Sequence, residues 1–559
     1  MKKRLHPAGK PDRVGRTSSG PPPSHPPGEK RARRAALIAA IVTGAIACAV
    51  YLPAIAFDFV RDDRELLLGG SLVRAPGTLL HLLASDYWSA AAGTSGLWRP
   101  CAVFTLWVDG RLSGWSPSWF HAANLLAHGF TTFLLALAVS TYGGGLIATW
   151  VAGLWFALMP AHVESVAWIV GRTDVWCGLL ALAALILARD GPAGRRLAPI
   201  AFGLALLSKE SAAAMAPVFA LAAWVDAKGS WSAWRRACLP YLVVLAVWAS
   251  LHALLVPPSP ASAGAVVAGP ARFWTALALP AWELRFLLPG VGHGPDWMIT
   301  PIAGPGPAAW VGLVVRAAAA VLLTVLVVRR EALAIPLAIV WCPLIAMTFL
   351  AFGRGALFSG ERHVYLASAG AAWVVALWIE RWRRSRAIPG LALAAVVVLV
   401  AWSARDTIAT IPGWKDEETM YDTMVRTEPM NPTGPLGQAL ARIDRGDDSG
   451  AREALARAAA IDSNRFEIPL YRAGIELRGG QPAMALALAR DASARAGWNR
   501  DALLIEALAL QRLGRWIEAR NVLEDLSAHE RGDLDVRSAW RAQLAGEARA
   551  AGPAREPSR

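Results

Sequence analysis

The chain has 559 residues, 55% of them hydrophobic and 18% charged, and a mean hydropathy of +0.38. That balance excludes an ordinary soluble domain and points to a membrane protein. The formal net charge of +14 does not argue for a nucleic-acid partner, because much of the basic excess sits beside apolar runs, where Lys and Arg orient membrane helices.

Residues 1–34 are rich in Pro, Ser, Lys and Arg and hold too little apolar side chain to fold, so they are expected as a disordered basic tail on the cytoplasmic side. The run from Ala35 to Phe59 is long enough to span a bilayer and has no small-residue cleavage site behind it. It reads as a retained first helix. Further apolar runs place helices at 119–140, 144–160, 175–189, 197–208, 211–226, 237–257, 308–328, 332–351, 364–380 and 387–404. With the first at 36–57 this predicts an all-α fold, a membrane bundle of about eleven spans over 35–410 with long outer segments 58–118 and 258–307. The segments on either side of Lys209 and Glu210 are short for a hydrocarbon core of roughly 30 Å, so that pair is expected to mark a hairpin tip or a broken helix.

The short loops test this topology. Those assigned to the cytoplasm hold Arg189, Arg195 and Arg196, then Lys228, Arg235 and Arg236, then Arg329 and Arg330, then Arg381, Arg383, Arg384 and Arg386. Each cluster lies between two adjacent spans, as the positive-inside rule requires. An odd number of spans puts the C-terminal region on the outer face with the two long segments.

Beyond Pro412 the apolar density falls and a period of 34 residues emerges. Leu436, Leu470 and Leu504 align, as do Ala439, Ala473 and Ala507, Gly446, Gly480 and Gly514, and Ala451, Ala485 and Ala519. This is the tetratricopeptide-repeat pattern, helix pairs that bury their apolar faces only by stacking. Residues 411–546 are therefore expected to form a short solenoid with a peptide-sized groove, followed by a disordered tail at 547–559.

Polar residues gather where the topology puts the outer face. Asp62 and Asp63 follow the first helix, and two adjacent carboxylates there suit a general base and its helper, or ligands of a divalent cation. The turn from Pro160 to Asp174 holds His162, Glu164, Arg172 and Asp174 among apolar residues. Lys209 and Glu210 interrupt an apolar stretch, and Glu361, Arg362 and His363 open the tenth span from outside. Arg99, Arg172, Lys209, Arg362 and His363 together make a donor set suited to a phosphate. Mutual ion pairing among these charges is the structural alternative. His162 and Glu164 alone are a thin metal signal, so a divalent cation is left open and no other cofactor is expected. His121, Asn124 and His128 fit helix-to-helix hydrogen bonding as well as any activity.

The order of these pieces resembles the C-type polytopic glycosyltransferases, closest to the transmembrane-and-tetratricopeptide-repeat proteins related to protein O-mannosyltransferases. The resemblance is carried by Phe59-Val60-Arg61-Asp62-Asp63, Trp98-Arg99-Pro100, His121-Ala122-Ala123-Asn124, the run from Pro160-Ala161-His162-Val163-Glu164 to Gly171-Arg172-Thr173-Asp174, Lys209-Glu210, Glu361-Arg362-His363-Val364-Tyr365 and Trp414-Lys415-Asp416-Glu417-Glu418. It implies inverting transfer of a sugar, a hexose such as mannose, from a polyprenyl-phosphate donor to a hydroxyl of a protein or envelope acceptor on the periplasmic face. It makes Asp62 or Asp63 the catalytic residue. Arg99, Arg172, Lys209, Arg362 and His363 then hold the lipid phosphate, with His162, Glu164, Asp174, Glu210 and Glu361 as supporting polar groups. Partners would be the lipid-linked sugar, membrane lipids and a protein acceptor held by the repeats. Ala- and Arg-rich usage favours a bacterial inner membrane over the endoplasmic reticulum. The rival reading is a membrane-anchored repeat scaffold that assembles envelope proteins without catalysis.

Overall fold

The computed structural model describes residues 27–68, 73–74, 77–88, 95–256, 269–354, 358–384, 389–529, 538–541 and 543. Most of the two terminal tails, and residues 89–94 and 257–268 of the outer segments, lie outside the described residues. Helices dominate, and the strands among the described residues are the antiparallel pair Trp297–Met298 and Phe358–Ser359, with Trp297 opposite Ser359. The first helix, Pro27–Val50, begins inside the stretch expected as tail.

Each segment expected to cross a membrane falls on helical structure. Among the described residues, six helices are long and apolar enough to do so: Lys30–Val50, Pro117–Thr141, Trp231–Leu255, Pro307–Arg329, Glu361–Arg383 and Ala394–Trp414. A seventh crossing is available if Leu146–Ala157 and Pro160–Ala167 act as one span bent by 53°. The other four expected spans, on Arg172–Leu187, Gly191–Leu206, Ala216–Asp226 and Ala334–Arg354, fall short of that length and apolarity over their described residues. The breaks have local causes. Pro160 opens a 3-10 turn after Leu146–Ala157, and another 3-10 turn, Glu210–Met215, separates Gly191–Leu206 from Ala216–Asp226 at the predicted Lys209–Glu210 interruption.

Small residues bring the bundle together. A Cβ on Gly129 would collide with Cys48 Sγ, and one on Gly44 would lie 2.8 Å from the Gly129 carbonyl. The first helix and Pro117–Thr141 thus approach almost backbone to backbone, the close packing that small residues permit between membrane helices. Arg172–Leu187 and Gly191–Leu206 then form a tight hairpin through Arg189 and Asp190.

After the last long apolar helix come Glu417–Thr427 and three helix pairs: Thr433–Asp444 with Asp448–Ile461, Glu467–Arg478 with Pro482–Ala496, and Arg500–Arg512 with Trp516–His529. Gly446, Gly480 and Gly514 take φ of +79°, +74° and +74° in the turns between partners, a left-handed conformation that favours glycine. Ala451, Ala485 and Ala519, one per pair, are fully buried. The 34-residue period thus recurs in the helix pairs as a left-handed turn and a buried alanine at the same place in each. The segment opening this region is tied to the first outer segment, for the Asp58 amide donates to the Lys415 carbonyl at 3.0 Å and Arg64 pairs with Glu417 at 2.7 Å. Farther along, Asn431 Nδ2 donates to the Asp296 carbonyl at 3.2 Å.

Candidate functional site

Three chain segments converge just past the end of the first helix. The short helix Asp62–Leu67 contributes Asp62, the bent turn Pro160–Ala167 leads into Trp168, and the 3-10 turn Glu361–Val364 contributes Arg362. A fourth segment, which the sequence reading left without a role, supplies Asp296. Its Oδ2 lies 2.5 Å from Arg61 Nη2 and its Oδ1 lies 3.5 Å from Arg362 Nη1. Arg362 also pairs with the buried Glu164, whose other oxygen accepts the Arg362 backbone amide at 2.9 Å. Both guanidinium groups lie over the Trp168 ring, at 5.8 Å for Arg61 and 5.3 Å for Arg362 from its centroid, and Trp414 stacks on the same ring at 6.0 Å. Two cations near one indole are tolerable because Asp296 and Glu164 neutralise them.

The two aspartates part ways here. Asp63 is buried, and its carboxylate accepts the Val170 amide at 2.9 Å and the Val60 amide at 3.2 Å. It ties the first outer segment to the turn that carries Trp168. Burial pushes it up to about 8 against the pull of those amides. Asp62 is half-buried, and among the described residues its carboxylate has no hydrogen bond or ion pair from another side chain. Burial raises its pKa, and the charges of Arg61 and Arg362 draw it part of the way back. Of the pair, Asp62 is the carboxylate available to a substrate. For Asp296, the charges of Arg61 and Arg362 outweigh burial and hold the carboxyl below the usual range.

The expected phosphate donors are all committed to partners. Arg99 forks onto Glu210, with Nε at 3.1 Å and Nη2 at 2.9 Å from Oε2, and lies over the Tyr87 ring. Lys209 Nζ is 2.5 Å from Asp174 Oδ1. Arg172 is fully buried, bound to Asp109 Oδ2 at 2.5 Å and to the Phe120 carbonyl at 3.1 Å, which makes it a structural cation rather than an open donor. His363 Nδ1 is 3.2 Å from Ser359 Oγ, next to the Gly360 amide. Side-chain exposure falls from 24% at Arg362 through 14% at Arg99 and 10% at Lys209 to 0% at Arg172. Arg362 is therefore the most accessible cation of the expected set.

The remaining residues brace this cluster or the bundle beside it. Glu361, buried, accepts from His293 Nδ1 at 2.9 Å, the Gly294 amide at 2.9 Å and Trp297 Nε1 at 3.0 Å, and so holds the segment that presents Asp296. Its charge raises the His293 pKa against the effect of burial. His162 Nε2 meets Ser368 Oγ at 2.7 Å deep in the bundle, and His128 Nδ1 meets Tyr365 at 2.8 Å. Asn124 Nδ2 donates to the carbonyls of Trp168 and Ile169, both at 3.1 Å, fixing the backbone beneath the Trp168 ring. Among the described residues no group of three or more His, Cys, Asp or Glu is placed to hold a metal ion, and guanidinium groups already occupy the space between Asp296 and Glu164.

Asp296, Arg61, Trp168, Asp109 and His293 are the residues to which sequence reasoning gave no role. Arg61 stood in a quoted motif, and Asp296 follows a proline in Gly294-Pro295-Asp296 inside an outer segment. A charged residue after a Gly-Pro turn was the available signal.

The fold and this cluster define a multi-pass, all-helical membrane protein with a charged cluster, backed by buried tryptophans, at one end of its helices. No protein-family model matches the chain. Over about a quarter of its length it is similar to the TMTC protein O-mannosyl-transferases, as its motifs implied. It is 34% identical over 134 residues to protein O-mannosyl-transferase Tmtc1 of Drosophila melanogaster, covering 23% of this chain and 16% of that protein. It is 31% identical over 153 residues to TMTC2 of Homo sapiens, covering 27% and 18%, and 32% identical over 161 residues to TMTC4 of Homo sapiens, covering 26% and 22%. The matched part thus spans less than a quarter of each of these relatives.

Proposed function

We propose that the protein is a membrane glycosyltransferase that moves a sugar, a hexose such as mannose, from a polyprenyl-phosphate donor to a hydroxyl group of a protein acceptor. The observation that carries this reading is Asp62, a half-buried carboxylate with raised pKa and, among the described residues, no side-chain partner, set beside Arg362 at the entrance proposed for the acceptor cleft. The names of the relatives support the sugar and the acceptor class.

In this scheme the acceptor hydroxyl gives its proton to Asp62 as its oxygen attacks the anomeric carbon. The bond from that carbon to the phosphate oxygen breaks, and its electron pair leaves on the phosphate. Attack from the opposite side inverts the anomeric centre. Arg362 takes the developing negative charge, and Arg99 and Lys209, each held by a carboxylate, bound the site behind it. The helix pairs beyond Pro412 act as a tetratricopeptide solenoid that holds the acceptor above the cleft. The cleft lies on the periplasmic face of an inner membrane, since the basic clusters from Arg189 to Arg383 flank the opposite ends of the helices.

The test is sugar transfer in membranes from a polyprenyl-phosphate-linked mannose to protein, with Asp62→Asn beside the wild type at matched abundance. Transfer should fall by about a hundredfold or more in the variant. Transfer that persists in Asp62→Asn overturns the base assignment, and a wild type that captures envelope proteins but transfers nothing supports the scaffold instead.

A further inference from the structure

At the far end of the bundle from the cleft is a cavity of about 1180 Å³. The helix Arg172–Leu187 measures the separation: it starts at the cleft end and reaches the cavity after sixteen residues, about 24 Å at the helical rise. The cavity is bounded on one side by the start of the first helix and on the other by the start of Trp231–Leu255. Its volume exceeds the usual range for a small-molecule pocket, about 300–1,000 Å³.

Its lining is amphipathic. Apolar surface comes from Leu37, Leu137, Phe219 and Tyr241 among others, and Leu37 is 43% exposed at the rim, on a helix facing the bilayer. The charged lining comprises Arg33, Arg189, Arg195, Arg236, Asp190 and Asp226. One cation is already matched: Arg189 forks onto Asp226 and lies over the Tyr142 ring at 3.9 Å. Arg195 and Arg236 are exposed and form no ion pair among the described residues. The exposed Asp190 does not pair with either of them. Arg195 and Arg236 thus put positive charge at the mouth of an apolar recess.

We propose that this cavity is a binding site for an anionic phospholipid, whose phosphate is held between Arg195 and Arg236 and whose acyl chain lies along Leu37, Leu137 and Tyr241. A phosphate satisfies both unpaired guanidinium groups with charge-assisted hydrogen bonds. A soluble anion would leave the apolar wall uncovered, and an uncharged lipid would leave the two cations unmatched. The site is independent of the sugar-transfer reading, because none of its residues belongs to the cleft.

The sequence provides an internal control. Arg196 and Arg235 neighbour Arg195 and Arg236 and carry the same charge, but do not line the cavity. Full-length protein in detergent, titrated with phosphatidylglycerol and followed by native mass spectrometry, should bind it more tightly than phosphatidylcholine. Arg195→Gln with Arg236→Gln should weaken phosphatidylglycerol by about thirtyfold, the factor carried by two interfacial basic residues. Arg196→Gln with Arg235→Gln should stay within about twofold of wild type, since it removes equal charge away from the phosphate. Matched circular dichroism confirms that both variants fold. Equal losses in the two pairs would mean general attraction to a basic face and overturn the proposal. So would no loss in either, or competition by inorganic phosphate as strong as that of the lipid.

Discussion

Arg61 and Asp296 are joined by a 2.5 Å ion pair, and both hold a left-handed backbone, with φ of 49° and 45°. Strain of this kind costs about 1–3 kcal/mol per residue and persists only where the surroundings impose it. The pair helps impose it: against burial, which would discharge Arg61, the charges of Asp296 and Asp62 and the hydrogen bond to Asp296 together keep the guanidinium charged. Arg61→Gly removes the charge and the strain together, whereas Arg61→Ala removes only the charge. The glycine variant should melt higher than the alanine variant by about 1 kcal/mol of stability. Both should lose sugar transfer, because Asp296 then pulls Arg362 alone. Equal melting would show that Arg61 is unstrained.

The acid limb of transfer should report Asp62. As a base it must be ionised, so activity falls as the pH drops through its pKa, which burial raises above the ordinary Asp value. The limb in kcat/KM should therefore lie above that of a free carboxylate. Arg362 lowers the Asp62 pKa, so Arg362→Gln should move the limb to still higher pH, apart from any loss of rate. Asp62→Asn should cost about 10²–10⁴ in kcat. A limb that Arg362→Gln leaves in place would remove Asp62 from the role of base.

Asp63 should be read in stability instead. Its pKa is raised on folding, from an ordinary value of about 3.9 to about 8, so the folded state holds the proton more tightly than the unfolded chain. Its contribution is fully present below the lower value and is lost as the pH rises towards the upper one. Melting of the purified protein should therefore fall across that window. Asp63→Asn cannot titrate and should flatten the profile. It keeps an oxygen for only one of the Val60 and Val170 amides, so it should also melt lower by about 1–3 kcal/mol. An unchanged pH slope would show that Asp63 does not titrate in this range.

The contrast between these aspartates explains what was legible in the sequence. Residue type and order marked Asp62 and Asp63 together, since adjacent carboxylates after a membrane helix are costly without a purpose. What separates them is a contact made 107 residues away, where the Val170 amide meets Asp63, and no local pattern carries that. Arg172 shows the same limit: its type suits a phosphate, but Asp109 and Phe120 enclose it. Asp296 was missed because its role depends on Arg61 and Arg362, both far off in the chain. Helical periodicity, by contrast, is local, so the helices were placed well. Span length is less local: the helix on the apolar run 197–208, Gly191–Leu206, falls short of the length and apolarity of the six long apolar helices.

The repeat region permits a prediction that pits two glycines of one helix pair against each other. Gly474 lies inside Glu467–Arg478, where an added Cβ would find its nearest neighbour, Ile505 Cδ1, at 3.9 Å. Alanine fits there without displacement and raises helix propensity, so Gly474→Ala should stabilise by about 0.5–1 kcal/mol. Gly480 has open space around its Cβ position but a φ of +74°. Alanine must adopt a left-handed conformation there, so Gly480→Ala should destabilise by about 1–2 kcal/mol for backbone reasons alone. Gly446 and Gly514 share its conformation and should behave alike. Thermal melting of the full-length protein monitors both substitutions. If Gly480→Ala matched Gly474→Ala in sign, the left-handed turn would not be the element that sets the 34-residue period.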